Sequence, residues 1–463
     1  MINVDILFVT SVLGLLPAFY PVMRIVKKQE LNLFDLIIIF HTLNFALVPL
    51  WKGNILHWSD IVIFKTFFYY FAFILFVLLT DFYWHYVYED NISLINITKY
   101  LKRYDKFKIS KYGNIVFSII LLLSLIFYMP RATYILHLED SGVVMEHEEK
   151  VQTFLFGSFF RITGTILILY FSYNIKRISW KDVSLWLFLV YMLMNLFFPR
   201  RVFLSLILQI VLCVYSIHRN LINYKVIVYL SSFALFLYLI YFPFYNIMRH
   251  GSSMLYFDPS SPIESLTKFS SYAINNWNAM SKDASKVSDT RSLNLYDAVY
   301  NLIYHNPQPY NGVLTWKAID VGIPKVLKPN KGEGSMPIME EMTKKYVDQA
   351  DSYLLLAYGD FHYWGSLYAL VIFCFVFYVY ILYDAFLWTI FGAKIVSLYI
   401  LLFLFDLTWN VEGSLDGFLS WFFSSFLALI FIVILEKMGV LKICSIKKCA
   451  LSILINSRKD SVN

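Results

Sequence analysis

The residues of this chain best suited to chemistry are four arginines, an aspartate and a histidine. Arg200 and Arg201 form a pair between two apolar stretches, Arg249 with His250 follows a third, and Arg291 stands in the polar run Ser288–Ser292. A guanidinium offers a fixed fork of donors that fits the oxygens of a phosphate or diphosphate. Lys325, Lys328 and Lys331, spaced by three, add a candidate anion-binding rim. Asp360 and His362 immediately precede another apolar stretch, with Asp351 shortly upstream, and each can accept a proton. Trp277, Tyr310 and Trp316 add large aromatic faces in the same long polar segment. Every one of these has a plain alternative. Arg200 and Arg201 can snorkel to ordinary headgroups, Arg291 can pair with Asp289, and the lysines can form a solvated turn. Asp360 and His362 can cap a span, and the aromatic residues can pack the loop's own core.

Other polar residues carry weaker signals. His147 among Glu146, Glu148 and Glu149 is a single imidazole in an acidic loop, which is a poor metal site. Zinc spacing, a Gly-rich phosphate loop and a nucleophile elbow are all absent from the sequence. These residues mark no metal or cofactor site. Asp406, Glu412 and Asp416 lie near the outer ends of the last apolar stretches, and Lys65 and Arg161 near the starts of others. An unpaired charge inside a span is expensive, so Asp406 is the most pointed of these.

The elements that must position these groups are membrane helices. Apolar residues make up 59% of the 463, charged residues only 15%, and mean hydropathy is +0.60. A soluble chain is about 25% charged, and a bilayer needs about 20 apolar residues of helix per crossing. Eleven spans fit: 5–22, 33–50, 61–80, 114–130, 154–173, 183–198, 202–218, 226–245, 363–383, 395–410 and 418–435. The expected fold is an all-α polytopic membrane protein with one large, partly helical external loop. Its regions are an N-terminal membrane part (1–245), the loop (246–362), a C-terminal membrane part (363–435) and a basic tail (436–463). Abundant Tyr and Trp suit the headgroup level. Cys213 and Cys374 fall inside spans, Cys444 and Cys449 in the tail, and none falls in the loop, so no disulfide framework is implied there.

Charge sets the orientation. Arg24, Lys27 and Lys28, six basic residues between Lys99 and Lys111, and the basic C-terminal residues alternate onto one face. That face collects 21 of the 39 Lys and Arg residues. The positive-inside rule then puts the N-terminus and the long loop outside and the C-terminus inside. The first span has basic residues after it and none before it, which reads as a retained helix rather than a cleaved leader. The net charge of +7 is a matter of topology, and no nucleic-acid partner is expected.

The loop reads as folded. Ile263, Leu266, Phe269, Ala273, Trp277 and Met280 recur at helical spacing. A second helical segment starts near Ser292, carries Leu295, Val299, Leu302 and Ile303, and ends before Pro307, Pro309 and Gly312. Met339, Met342 and Tyr346 suggest a third. These features predict a lid over an outward-facing cavity rather than a tether.

The arrangement resembles the Wzy-type polymerases, which join lipid-linked oligosaccharide repeat units into bacterial polysaccharides. Asn195-Leu196-Phe197-Phe198-Pro199-Arg200-Arg201 resembles that family's arginine-bearing junction. Tyr310-Asn311-Gly312, Ile323-Pro324 and Lys328-Pro329-Asn330-Lys331 resemble its Gly, Pro and Pro-x-Lys run. Ala350-Asp351-Ser352 through Gly359-Asp360-Phe361-His362 to Gly365 resembles the loop end that leads into the next span. Pro-Arg-Arg stands where small residues often precede the family's arginine, so either arginine can be the equivalent one.

The resemblance implies a metal-independent glycosyltransferase at the outer face of the bacterial inner membrane. Its partners would be polyprenyl-diphosphate-linked oligosaccharides, membrane lipid and a chain-length regulator protein. It implies diphosphate binding by Arg200, Arg201, Arg249, Arg291 and Lys328, proton transfer by Asp360 or His362, and sugar stacking on Trp277, Tyr310 and Trp316. A lipid-linked glycan ligase uses the same donor for a single transfer. A flippase would show related halves with broken spans, and no such repeat is visible. A structural subunit would tolerate alanine at all four arginines.

Overall fold

The computed structural model describes residues 5–52, 59–88, 96–128, 147–195, 200–218, 295–323, 327–328, 330, 334–343, 352–392, 394–409 and 415–445, with isolated residues between 232 and 275. The described residues are mostly helical. In chain order the elements are α1 (Ile6–Val26), α2 (Leu33–Leu50), α3 (Asp60–Tyr88), α4 (Ile97–Leu101), β1 (Tyr104–Ile109), α5 (Lys111–Leu123), α6 (His147–Asn174), α7 (Val183–Asn195) and α8 (Arg200–Ile217). There follow α9 (295–305), α10 (Val313–Gly322), α11 (Met336–Thr343), α12 (Tyr353–Phe361), α13 (Gly365–Phe391), α14 (Lys394–Trp409), α15 (Leu415–Lys437) and β2 (Leu441–Ser445).

Among the described residues, four apolar segments have the length and composition to cross a membrane: Ile6–Val26, Leu33–Leu50, Asp60–Trp84 and Tyr353–Phe391. Lys111–Ile126, Val183–Asn195 and Val202–Ile217 are shorter apolar helices. The expected span at 226–245 lies outside the described residues apart from Ser232.

The chain forms two compact units that interleave in sequence. The first comprises Met1–Tyr100, Asp289–Gly392 and Val396–Leu427; the second comprises Leu101–Ser288, Ala393–Ile395 and Ala428–Asn463. The first unit thus includes the part of the long loop from Asp289 onward together with the first three helices.

Within the first unit, α1, α2 and α3 are tied at one end by a buried ionic cluster. Asn32 and Asp35 form a reciprocal capping box at the start of α2, each side chain accepting from the other's backbone N–H at 2.8 and 2.9 Å. Arg24, at the end of α1, bonds Asp35 at 3.0 Å and approaches Asp81 of α3 at 3.7 Å. Asn32 Nδ2 donates to Asp81. At the opposite end α2 passes through a π turn at Leu43–Leu47, just ahead of Pro49, whose missing N–H breaks the regular ladder.

The loop packs on this unit through its apolar periodicity. Leu295, Val299, Leu302 and Ile303 of α9 are buried, Tyr296 rests on Phe45, and Ser59 N donates to the Tyr300 hydroxyl at 2.7 Å. The short helix expected around Met339 and Met342 is α11, where both are buried, whereas Tyr346 lies outside the described residues. In the earlier stretch Glu264, Thr267, Lys268, Ser271, Ile274 and Asn275 are helical and exposed, with a Lys268–Glu264 pair at 2.7 Å. The apolar partners of that stretch, Trp277 included, lie outside the described residues.

The apolar segment Tyr353–Phe391 is not one rod. An ideal Cβ on Gly365 would lie 2.3 Å from the Ala357 carbonyl oxygen. In a continuous helix those residues would sit about 12 Å apart. The chain therefore doubles back at His362–Trp364, and α12 lies against α13. Of this segment, α13, 27 residues and about 40 Å long, has by itself the length to cross a membrane. The short α12 is buried from Tyr353 to Asp360.

In the second unit β1 and β2 pair antiparallel, with Phe107 opposite Ile443 and Ile109 opposite Leu441. The segment expected as a basic tail thus begins with ordered structure, the end of α15 and then β2. Phe107 is fully buried and stacks on Tyr173 of α6. Glu436 of α15 caps α14, accepting from the N–H groups of Lys394 and Ile395 at 3.0 and 2.9 Å.

Candidate functional site

The predicted catalytic pair lies where residues 306–315 cross residues 358–363 of the first unit. Tyr310 N donates to Gly359 O at 3.0 Å and Asn311 N to Asp360 O at 2.9 Å. Asp360 then turns its carboxylate onto the start of α10. Oδ1 accepts from Leu314 N at 3.0 Å, and Oδ2 accepts from Thr315 N at 2.9 Å and Thr315 Oγ1 at 2.7 Å. These backbone N–H groups have no partner inside their own helix, and the positive helix end favours an anion. Asp360 is fully buried. Its oxygens are committed to three donors, which supports a positioning role rather than proton transfer.

His362 sits differently. Its φ of 51° and ψ of −129° place a side chain where glycine is normally required. Holding a non-glycine residue there costs about 1–3 kcal/mol, a strain that gathers at functional sites. Among the described residues four non-glycine positions have positive φ, and three of them, Asn306, Asn311 and His362, belong to this crossing. Gly312, at φ 91°, is the glycine that the same turn requires.

The imidazole is held at an edge and on a face. Nε2 lies 2.7 Å from Pro307 O. A carbonyl only accepts, so Nε2 carries the proton and Nδ1 keeps the lone pair. The ring stacks on Tyr358 with centroids 5.3 Å apart and planes 19° apart. That arrangement suits a general base of fixed tautomer.

The aromatic and basic candidates divide. Trp316 is 65% exposed, so packing of the loop core does not account for it. Tyr310 is half-buried and serves the crossing through its backbone. Trp364 and Tyr304, which sequence reasoning passed over, are also exposed. Lys328 pairs with Asp320 of α10, so this lysine of the expected anion rim already has a carboxylate partner. Lys325 and Lys331 lie outside the described residues.

The arginines are less fully described. Arg200 and Arg201 open α8 in the second unit, with their side chains outside the described residues. Arg249, Arg291, Asp351 and Glu412 lie outside them entirely. Of the remaining polar candidates, Lys65 is exposed on α3, whereas Arg161, Asp406 and Asp416 are half-buried. The side chain of His147 at the start of α6 is outside the described set, and no metal-holding group of three or more His, Cys, Asp or Glu occurs among the described residues.

Sequence reasoning missed Thr315, Tyr358 and the Arg24–Asp35–Asp81 cluster. The Asn32-x-x-Asp35 spacing was a visible capping signal. No local pattern marks Thr315 or Tyr358, whose partners come from distant segments. No protein-family model, curated protein or solved structure matches the chain.

Proposed function

We propose that this protein is a membrane glycosyltransferase that polymerises polyprenyl-diphosphate-linked oligosaccharides at the outer face of a bacterial inner membrane. The observation that carries the reading is the strained, tautomer-fixed His362 beside a folded external loop with exposed aromatic residues. In the reaction a hydroxyl at the non-reducing end of one repeat unit attacks the anomeric carbon of another. The anomeric C–O bond to diphosphate breaks, and polyprenyl diphosphate leaves with the electron pair. His362 Nδ1 takes the hydroxyl proton, Asp360 holds the crossing in place, and Trp316 offers a stacking face. Arg200, Arg201, Arg249 and Arg291 supply positive charge for the leaving diphosphate, an electrostatic task that needs no metal.

The eleven-span topology belongs to the same reading. The β1–β2 ladder needs residues 104–109 and 441–445 on one side of the membrane. An even number of crossings must then separate them, and the eight expected spans between 114 and 435 supply one. Omitting the span at 226–245 alone would make the number odd.

The test is incubation of purified protein with its native lipid-linked repeat unit, with products resolved by size. A ladder spaced by one repeat, lost in folded Arg200→Ala, Arg201→Ala or His362→Gln variants, is the expected result. A single transfer to another acceptor would instead identify a ligase. Absence of any product from a verified native substrate counts against the reading.

A further inference from the structure

In the second unit β1 and β2 form an amphipathic ribbon. One face packs on α6: Phe107 is fully buried and stacks on Tyr173, and Asn174 Nδ2 donates to Phe107 O at 2.7 Å. Side chains alternate along a strand, so Lys106 and Lys108 lie on the other face. There the register sets Lys442 directly across from Lys108, and both are exposed. Like charges directly opposite one another destabilise an antiparallel pair. Among the described residues no carboxylate pairs with Lys106, Lys108 or Lys442. The acids nearby serve other partners: Asp105 faces Arg177 at 3.9 Å, Asp182 caps α7 and Glu436 caps α14. The ribbon therefore carries positive charge that nothing within the described fold compensates.

Its surroundings indicate what would. Ser110 N donates to Val440 O at 2.9 Å, so the ribbon closes between the start of α5 and the end of α15, both strongly apolar helices. Large aromatic side chains stand exposed at the neighbouring helix ends. Tyr112 opens α5, and Trp180, beyond the end of α6, touches Trp186 of α7 with ring centroids 6.1 Å apart. Tyr and Trp collect at the headgroup level of a bilayer. We propose that the lysine face of the ribbon binds the phosphates of anionic phospholipids. An acidic protein would offer the same charge but would leave the exposed aromatic residues at the helix ends without a role. The surface requires a surrounding membrane and no glycosyl transfer.

Full-length protein is delipidated in detergent and given phosphatidylglycerol or phosphatidylcholine with identical acyl chains. Bound lipid is counted by native mass spectrometry, and thermal unfolding is followed in parallel. Phosphatidylglycerol should bind about tenfold more tightly than phosphatidylcholine, and the preference should vanish in the triple variant Lys106→Gln, Lys108→Gln, Lys442→Gln. Without lipid that variant should unfold at the same or a higher temperature, because the opposed pair of like charges is gone. The control variant Lys65→Gln, Lys268→Gln, Lys317→Gln makes the same change in net charge elsewhere in the chain and should keep the preference. Equal binding of the two lipids by the wild type would overturn the proposal. So would a triple variant that keeps the preference, or a control that loses it to the same extent. A lower unfolding temperature of the lipid-free triple variant would show that the lysines serve the fold, which also overturns it.

Discussion

Asp360 and Thr315, 45 residues apart in sequence, meet at two points: one carboxylate oxygen accepts both the Thr315 N–H and its hydroxyl, at 2.9 and 2.7 Å. This contact fastens the loop helix α10 to the end of α12, and it determines the backbone on which His362 stands. Asp360→Asn replaces one acceptor by an NH₂ that faces donors. We expect it to cost about 3 kcal/mol, against about 1 kcal/mol for Thr315→Val. Chemical unfolding of both single variants and the double variant tests this, and additive losses would show that the contact is not coupled.

The backbone at His362 separates strain from chemistry. Glycine and alanine both remove the imidazole, its bond to Pro307 and its stack on Tyr358. Only glycine relaxes at φ 51°. His362→Gly should therefore be more stable than His362→Ala by about 1 kcal/mol, with both inactive in the ladder assay. Equal stabilities would remove strain from the account of this site.

Gly365 makes the hairpin possible. A methyl group there would meet the backbone of Ala357 and Tyr358, which has no soft atom to yield. Gly365→Ala should cost about 3 kcal/mol or more and sharply reduce folded yield. Gly334 is the control, because its Cβ would meet only Val321 at an ordinary 3.5 Å. Size-exclusion recovery in detergent reads both, and a well-folded Gly365→Ala protein would refute the doubled-back path.

The buried cluster of Arg24, Asp35 and Asp81 should respond unevenly. Removing Arg24 leaves two carboxylates without their shared cation, so Arg24→Ala should cost about 4 kcal/mol. Asp81→Asn should cost clearly less than Asp35→Asn. Asp81 stands farther from the guanidinium, at 3.7 against 3.0 Å, and an amide oxygen can still accept from Asn32. Pulse proteolysis of the three variants gives the order.

What the sequence determined by itself was local. Runs of apolar residues marked α1, α2, α3 and α13, because a helix must satisfy its own backbone wherever water is scarce. Helical spacing placed Leu295, Val299, Leu302, Ile303, Met339 and Met342 on buried faces, since a 3.6-residue period needs no knowledge of the partner surface. His362 and Asp360 were visible as polar residues at the mouth of a span, but their roles were not. Tertiary structure separated them: the carboxylate found orphan N–H groups 45 residues away, and the imidazole found the Pro307 carbonyl. The pairing of β1 with β2 and the fold-back at Gly365 were equally hidden. Each depends on which distant backbone comes within hydrogen-bond or van der Waals reach, a relation that no local period encodes.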